Sequence, residues 1–429
     1  MNDQQSLPPN YFYHRLPNGI EMVGQYMPGL SSITFGFQLN AAVVNEPEEK
    51  QGLAHLFEYM LFQGTKKKDA RALNEAFESL GVRKAASTGF ETSLIMAQMV
   101  HTKFDATLPL IQEVLLTPTF PKDDLEQMRS VVLQEIRRRD DVPMSRIFDL
   151  VRSSFYRGTA FARLSLGTTE SVQALHKQDL HAFWKDRYQP NNVLFSIAGK
   201  FDWDHVVSSV EKLFGEWSGE AAPSPEQRPA PTADIVLENQ AGKQEGKQEH
   251  LGLMFPFPNY TDPDYYAAMV ISEVLGGNMA SRLFVEVREK RGLVYSVSAS
   301  LAGNRHIGAM RIYAGTTPEQ GHECLEVIVN ELRKLEQEGI TADELARAKV
   351  QLKSEHIMRG EGSGARMGAL AHSWWYERKL RTIQEVKEAI DAVTAEQALR
   401  VLHRFSPLNP LTVAAIGPLE RDELVGNIF

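Results

Sequence analysis

The 429-residue chain repeats itself, and that repetition limits its fold more than any single segment does. The run Pro121-Lys122-Asp123-Asp124-Leu125 through Gln134-Glu135 returns 220 residues later as Thr341-Ala342-Asp343-Glu344-Leu345 through Ser354-Glu355. Each is an acidic cap region leading into a long amphipathic helix, where carboxylates near the first turn complement the positive end of the helix dipole. A second pair stands 218 apart. Phe195-Ser196-Ile197-Ala198-Gly199 follows a helix ending near Tyr188-Gln189-Pro190, and Val413-Ala414-Ala415-Ile416-Gly417 follows one ending near Phe405-Ser406-Pro407. Two offsets that agree this closely predict two copies of one unit.

Between the copies, residues 219–233 are rich in Pro and polar residues and carry no apolar periodicity, which predicts an extended linker. The expected division is therefore an N-terminal domain over 1–218 and a homologous C-terminal domain over 234–429. Within each copy, short alternating runs such as Ile33-Thr34-Phe35-Gly36-Phe37-Gln38-Leu39 and Ala309-Met310-Arg311-Ile312-Tyr313-Ala314 read as strands between helices of ten or more residues. That mixture is α+β, with helices packed on one face of a mixed sheet.

Charge and cysteine use narrow the functional classes. A hydrophobic content of 43% with 24% charged residues is ordinary for globular cores. A net charge of −9 argues against generic nucleic-acid or anionic-membrane binding and would favour a basic substrate. Cys324 stands alone, which excludes an internal disulfide framework and a thiolate zinc cluster. The N-terminal ten residues have neither a basic nor an apolar signal region, and no later stretch reaches the length of a membrane span. The expected location is cytoplasmic, with export open to a chain whose signal segment had been removed.

The segment richest in chemistry is His55-Leu56-Phe57-Glu58-Tyr59. It resembles the inverted zinc-protease pattern H-x-x-E-H, in which two histidines one helical turn apart hold Zn²⁺ and the glutamate serves as general base on the metal-bound water. The fifth position here is Tyr59. The flanks, Gly52-Leu53-Ala54 before and Met60-Leu61-Phe62-Gln63-Gly64-Thr65 after, make the resemblance specific to the insulinase and pitrilysin family, nearest its short bacterial and mitochondrial-processing-peptidase branch. The resemblance spans essentially the whole chain and implies two α+β halves facing each other as a clamshell. It also implies a third metal ligand in a Val-Val-x-x-Glu-Ile run, matched by Val131-Val132-Leu133-Gln134-Glu135-Ile136, so Glu135 takes that place.

Two further departures surround this site. Where the family carries a substrate-contacting asparagine, Ala85 begins the run Ala85-Ala86-Ser87-Thr88, and Met128 stands where catalytic members place another glutamate. Tyr59 is a poor substitute ligand, because a phenol must lose a proton with pKa near 10 before it can bind zinc and its reach exceeds that of imidazole. It is expected to pack or hydrogen-bond instead. With His55 and Glu135 alone the site holds two ligands where a catalytic zinc needs three, so both are vestigial metal residues and Glu58 a vestigial base.

The second half departs far less. The segment from Gly276-Gly277-Asn278 through Arg288-Glu289-Lys290-Arg291-Gly292-Leu293-Val294-Tyr295-Ser296-Val297 nearly matches the family's C-terminal signature. There an arginine and a tyrosine seven residues later reach substrate held at the zinc, which by position are Arg288 and Tyr295. Both can donate hydrogen bonds to a carbonyl on which charge develops in a tetrahedral transition state. The competing reading makes Arg288 a surface cation in the Glu286-to-Arg291 charge run and Tyr295 a half-buried strand aromatic.

Other features carry less. His101, His322, His356, His372 and His403 show no ligand spacing, and His181 and His250 sit in ordinary helix and strand-edge contexts. Trp374-Trp375-Tyr376 suits a core better than a peptide chamber, and the glycines in Arg359-Gly360-Glu361-Gly362-Ser363-Gly364 read as a helix interruption rather than a phosphate loop.

The expected function is a zinc-deficient subunit of a two-component metallopeptidase. A homologous partner would carry the complete H-x-x-E-H site and the zinc, and this chain, holding no metal itself, would act in trans through Arg288 and Tyr295 on a peptide substrate. Two alternatives stay open: a non-catalytic scaffold like the core subunits of respiratory complexes, and a weak zinc endopeptidase with altered coordination that keeps Glu58 as base.

Overall fold

The computed structural model describes residues 7–221, 223, 231, 233–239 and 248–429, so most of the expected linker over 219–233 lies outside the described residues. Among the described residues, eleven strands form two mixed sheets. The first contains β1 (Tyr11–Arg15), β2 (Glu21–Tyr26), β3 (Ser32–Leu39), β4 (Arg83–Thr88), β5 (Ser93–Val100) and β6 (Val193–Gly199), in the order β1-β2-β6-β3-β5-β4. The second contains β7 (Asp234–Asn239), β8 (Glu249–Phe257), β9 (Val294–Gly303), β10 (Gly308–Thr316) and β11 (Thr412–Gly417), in the order β7-β11-β8-β10-β9.

The two sheets share one topology. Leaving out β1, each begins with a parallel pair, β2 with β6 and β7 with β11, and every later neighbour is antiparallel. The sequence repeat is thus a repeat of strand order. β3, β6, β8, β10 and β11 are buried almost throughout, whereas the edge strand β4 alternates exposed and half-buried positions.

One face of each sheet carries most of its helices and a large apolar core. In the first, Phe35, Phe37 and Phe195 pack with Leu56, Phe57 and Ile111; in the second, Leu253, Met310 and Ile312 pack with Ile271, Ile328 and Leu332. Each opposite face is covered by a helix drawn from the other half of the sequence. Ser363–Glu377 packs on β2, β3 and β6, and Pro143–Phe155 packs on β7, β8 and β11. The compact units are accordingly interleaved: residues 1–136, 163–226 and 357–383 form one, and 137–162, 227–356 and 384–429 the other.

The exchanged helices begin 220 residues apart and seat on equivalent glycines. A Cβ on Gly36 of β3 would come within 3.1 Å of Met367 Sδ, and one on Gly252 of β8 within 2.9 Å of Ile147 Cγ1. Met367 and Ile147 are themselves 220 apart. A bare backbone at these two points lets a helix close onto the sheet. Polar contacts fix the first: Thr34 Oγ1 lies 2.9 Å from Ser363 Oγ, and Arg366 donates to Tyr11 Oη (2.6 Å) and Gln25 Oε1 (2.8 Å).

Candidate functional site

The motif helix, Leu53–Met60, buries Leu53, Ala54, Leu56, Phe57 and Met60 and leaves His55, Glu58 and Tyr59 together on its half-buried face, as residues three and four apart must be. It starts at Gly52, whose φ of +88° and 2.6 Å approach to the Leu166 carbonyl oxygen exclude a side chain there. The buried Glu46 carboxylate caps this end, accepting from Gly52 N (3.2 Å) and Ala54 N (2.7 Å). Burial nonetheless pushes the Glu46 carboxyl up to about 8, outweighing the two N–H donors and Arg163.

The long helix Lys122–Asp141 brings Glu135 to the motif. His55 Nε2 lies 2.8 Å from Glu135 Oε2, and the Tyr59 hydroxyl donates to Glu135 Oε1 at 2.5 Å. The His55 and Tyr59 rings meet edge to face with centroids 5.2 Å apart. Glu58 approaches His55 Nδ1 only to 3.8 Å. Burial raises the pKa of Glu58, against the lowering effect of hydrogen bonds from Thr88 on β4.

Does this donor set suit zinc? Burial first, then the hydrogen bond to Glu135, raise the Tyr59 phenol above its ordinary value, so it keeps its proton and acts as a donor. A phenol that keeps its proton is a poor zinc ligand, and this one directs its O–H at Glu135, the carboxylate that would have to serve as the other ligand beside His55. The residues do not fit a three-ligand zinc centre. Among the described residues, no group of three or more His, Cys, Asp or Glu side chains is placed to hold a metal ion. Around the site, Gln63 Nε2 donates to the Tyr59 carbonyl (3.2 Å) and reaches Met128 Sδ (3.5 Å), and Ala85 is exposed on β4 opposite Met96.

The second unit presents Arg288 and Tyr295 from a π-helical turn, Phe284–Glu289, and the following strand β9. Such widened turns often sit at functional sites because they re-aim side chains. Within the charge run, Glu286 pairs with Lys290 (2.6 Å) and Arg291 (2.8 Å). Arg288 is left out: it is exposed, its guanidinium lies over the Phe284 ring at 5.0 Å, and among the described residues it makes no ion pair.

Tyr295 is 48% exposed, yet its hydroxyl is anchored. The ring lies over Gly315 of β10, where a Cβ would come within 2.4 Å of it. Its oxygen is 3.2 Å from Tyr313 Oη, 3.4 Å from His250 Nδ1 and 3.5 Å from Gln248 Oε1, and His250 Nδ1 is 3.0 Å from Tyr313 Oη. Burial pushes the His250 imidazole down to about 4, so it sits neutral against the two phenols. The bland sequence reading of His250 missed this cluster. Only the β8–β10 register, which sets Gly252 opposite Tyr313 and His250 opposite Gly315, brings these side chains together.

The remaining candidates are structural. Cys324 is buried and its thiol is pushed up to about 12 by burial, which leaves it inert. Trp374 and Trp375 pack against the small core between the first sheet and Ser363–Glu377, and Gly360 and Gly362 fall between Ala342–Arg359 and that helix, with Gly364 in its first turn.

Both halves of the chain are similar to known proteins. The model for the insulinase family (peptidase family M16) matches residues 23–169, and that for the peptidase M16 inactive domain matches 174–352. An uncharacterized zinc protease of Streptomyces coelicolor is 30% identical over 410 residues, covering 94% of this chain and 89% of the relative. One from Mycobacterium leprae is 31% identical over 407 residues, with 94% and 91% covered. Among solved structures, a peptidase M16 inactive domain from Pseudomonas fluorescens superposes with a TM-score of 0.88 at 22% identity, covering 96% of this chain and 98% of that one. A protease from Helicobacter pylori gives 0.88 at 21%, with 96% and 100% covered; at these identities the two structures speak to the fold alone. With two family models spanning both halves and a full-length relative at this identity, the chain belongs to the insulinase family of peptidases, family M16.

Proposed function

We propose that this chain is the zinc-deficient subunit of a two-subunit metallopeptidase, lending Arg288 and Tyr295 to a peptide held at the zinc of a homologous partner with a complete H-x-x-E-H motif. The observation that carries the reading is the hydrogen bond from Tyr59 to Glu135: a phenol that keeps its proton, and so binds zinc poorly, stands at the motif's second histidine position. The second unit supports the other half of the reading. Among the described residues Arg288 has no carboxylate partner, and Tyr295 combines an exposed ring with a fixed hydroxyl, which suits donors awaiting a ligand.

In this reading the mechanism divides between chains. The partner supplies the metal and base; this chain binds and orients the substrate and stabilises charge on its carbonyl oxygen through N–H and O–H donors set in advance. Such donors act chiefly in the transition state, so removing one typically costs about 10²–10³ in rate with little change in ground-state binding. The test is turnover of a peptide by the mixed complex carrying Arg288→Ala or Tyr295→Phe, with size-exclusion chromatography reporting assembly. Both variants should assemble normally, leave the partner's zinc content unchanged and turn over far more slowly. Arg288→Lys should not rescue, since an ammonium cannot reproduce the planar fork. Wild-type turnover in both would remove this chain from the active site and favour a scaffold.

A further inference from the structure

Along β10 the side chains alternate between two faces: Met310, Ile312 and Ala314 enter the core, whereas Arg311, Tyr313 and Gly315 share the other face with Tyr295. Arg311 therefore stands two positions, roughly 7 Å, along the strand from the tyrosine that anchors Tyr295. Its surroundings are unusual for a half-buried cation. The guanidinium plane is covered by Phe148 at 4.1 Å, one N–H group reaches Ser300 Oγ at 3.3 Å, and Nε is sealed from solvent with no partner among the described residues. The charge that acts on it is that of Arg152, of the same sign and already engaged with Asp149 at 2.9 Å.

Comparable arginines in this unit are satisfied. Arg282 holds Glu344 at 2.7 Å and Arg146 holds Glu238 at 2.9 Å. Burial, and then the like charge of Arg152, push Arg311 below its ordinary value, so its charged form is disfavoured as it stands. A desolvated cation with five donors and one acceptor is unfavourable unless an anion completes it, and the group whose geometry matches a guanidinium fork is a carboxylate.

We propose that Arg311, with Ser300 beside it, is a carboxylate-binding subsite on the face that presents Tyr295, taking the C-terminal carboxylate or an acidic side chain of a peptide. The peptide source rests on the proposed function; the carboxylate chemistry does not. Peptides would then be ranked by the position of a negative charge relative to the bond held near Tyr295.

The test uses the full chain and small probes: N-acetyl-dialanine as the free acid or the amide, for a chain terminus, and N-acetylglutamate N-methylamide or its glutamine analogue, for a side chain. The readout is the Arg311 ¹⁵Nε resonance, identified by its loss in Arg311→Gln, together with the apparent Kd. At least one acid should shift the resonance saturably while its uncharged analogue does not, and which acid does so assigns the source. Arg311→Lys, which keeps the stem on Phe148 and hence the fold, should bind that acid at least about tenfold more weakly, because a point charge replaces the fork. Equal responses to acid and analogue, no response to any probe, or unchanged acid affinity in Arg311→Lys would overturn the proposal. No partner or turnover is involved, so this outcome is independent of the Arg288 and Tyr295 test.

Discussion

At the scale of single residues, one proton decides the first site. The Tyr59 hydroxyl donates a hydrogen bond to Glu135, and burial keeps the proton on the phenol. Tyr59→His would restore an imidazole ligand, but Ala85 and Met128 would still leave substrate positioning and the surroundings of the site incomplete. Losses of supporting groups around a metal commonly cost about 10–100-fold, so this variant should remain well below a complete relative in chelator-sensitive turnover of a peptide. Full activity would mean that Tyr59 was the only defect. His250 yields a pH prediction. Its folded pKa, about 4, lies below its ordinary value near 6.5, so the neutral form stabilises the fold above about 6.5 and that contribution is lost as pH falls toward 4. The melting temperature should therefore drop between pH 7 and pH 5, and His250→Gln should drop less; identical pH dependence would contradict the assignment.

At the scale of elements, glycines decide which groups meet. Gly315 makes room for the Tyr295 ring, so Gly315→Ala should displace the hydroxyl from Tyr313 and reproduce much of the turnover loss of Tyr295→Phe in the mixed complex, while circular dichroism stays that of the wild type. Gly36 and Gly252 do the same for the exchanged helices. A branched side chain at Gly252 would meet Ile147 at under 3 Å, so Gly252→Val should lower stability by about 1–3 kcal/mol in denaturant unfolding, through overpacking. The motif face, the strands and the helix break at the glycine run were all legible, because periods of 3.6 and 2 are written directly in the sequence. The His250–Tyr313–Tyr295 cluster was not, because it depends on the register of β8 against β10, and neither His250 nor Tyr313 differs locally from an ordinary strand residue. Arg311 was hidden for the same reason: its lack of a carboxylate partner among the described residues is a property of its neighbours across the sheet and on the helix Pro143–Phe155.

At the scale of the whole chain, the repeat predicts two copies of one strand order, and it cannot show that each copy covers its second sheet face with a helix from the other. That exchange follows from packing rather than from periodicity, since both helices are amphipathic and either sheet offers a face with a bare glycine. The copies differ at these points: in the first, Tyr59 stands at the second histidine position of the motif and bonds to Glu135, and in the second, among the described residues, Arg288 makes no ion pair while the Tyr295 hydroxyl is anchored. The measurement that tests this most directly is the zinc content of the purified chain after incubation with zinc and removal of the unbound metal, by elemental analysis, with cleavage of a casein-derived peptide followed with and without chelator. The account predicts zinc well below one per chain and no chelator-sensitive cleavage. One zinc per chain together with chelator-sensitive cleavage would contradict it.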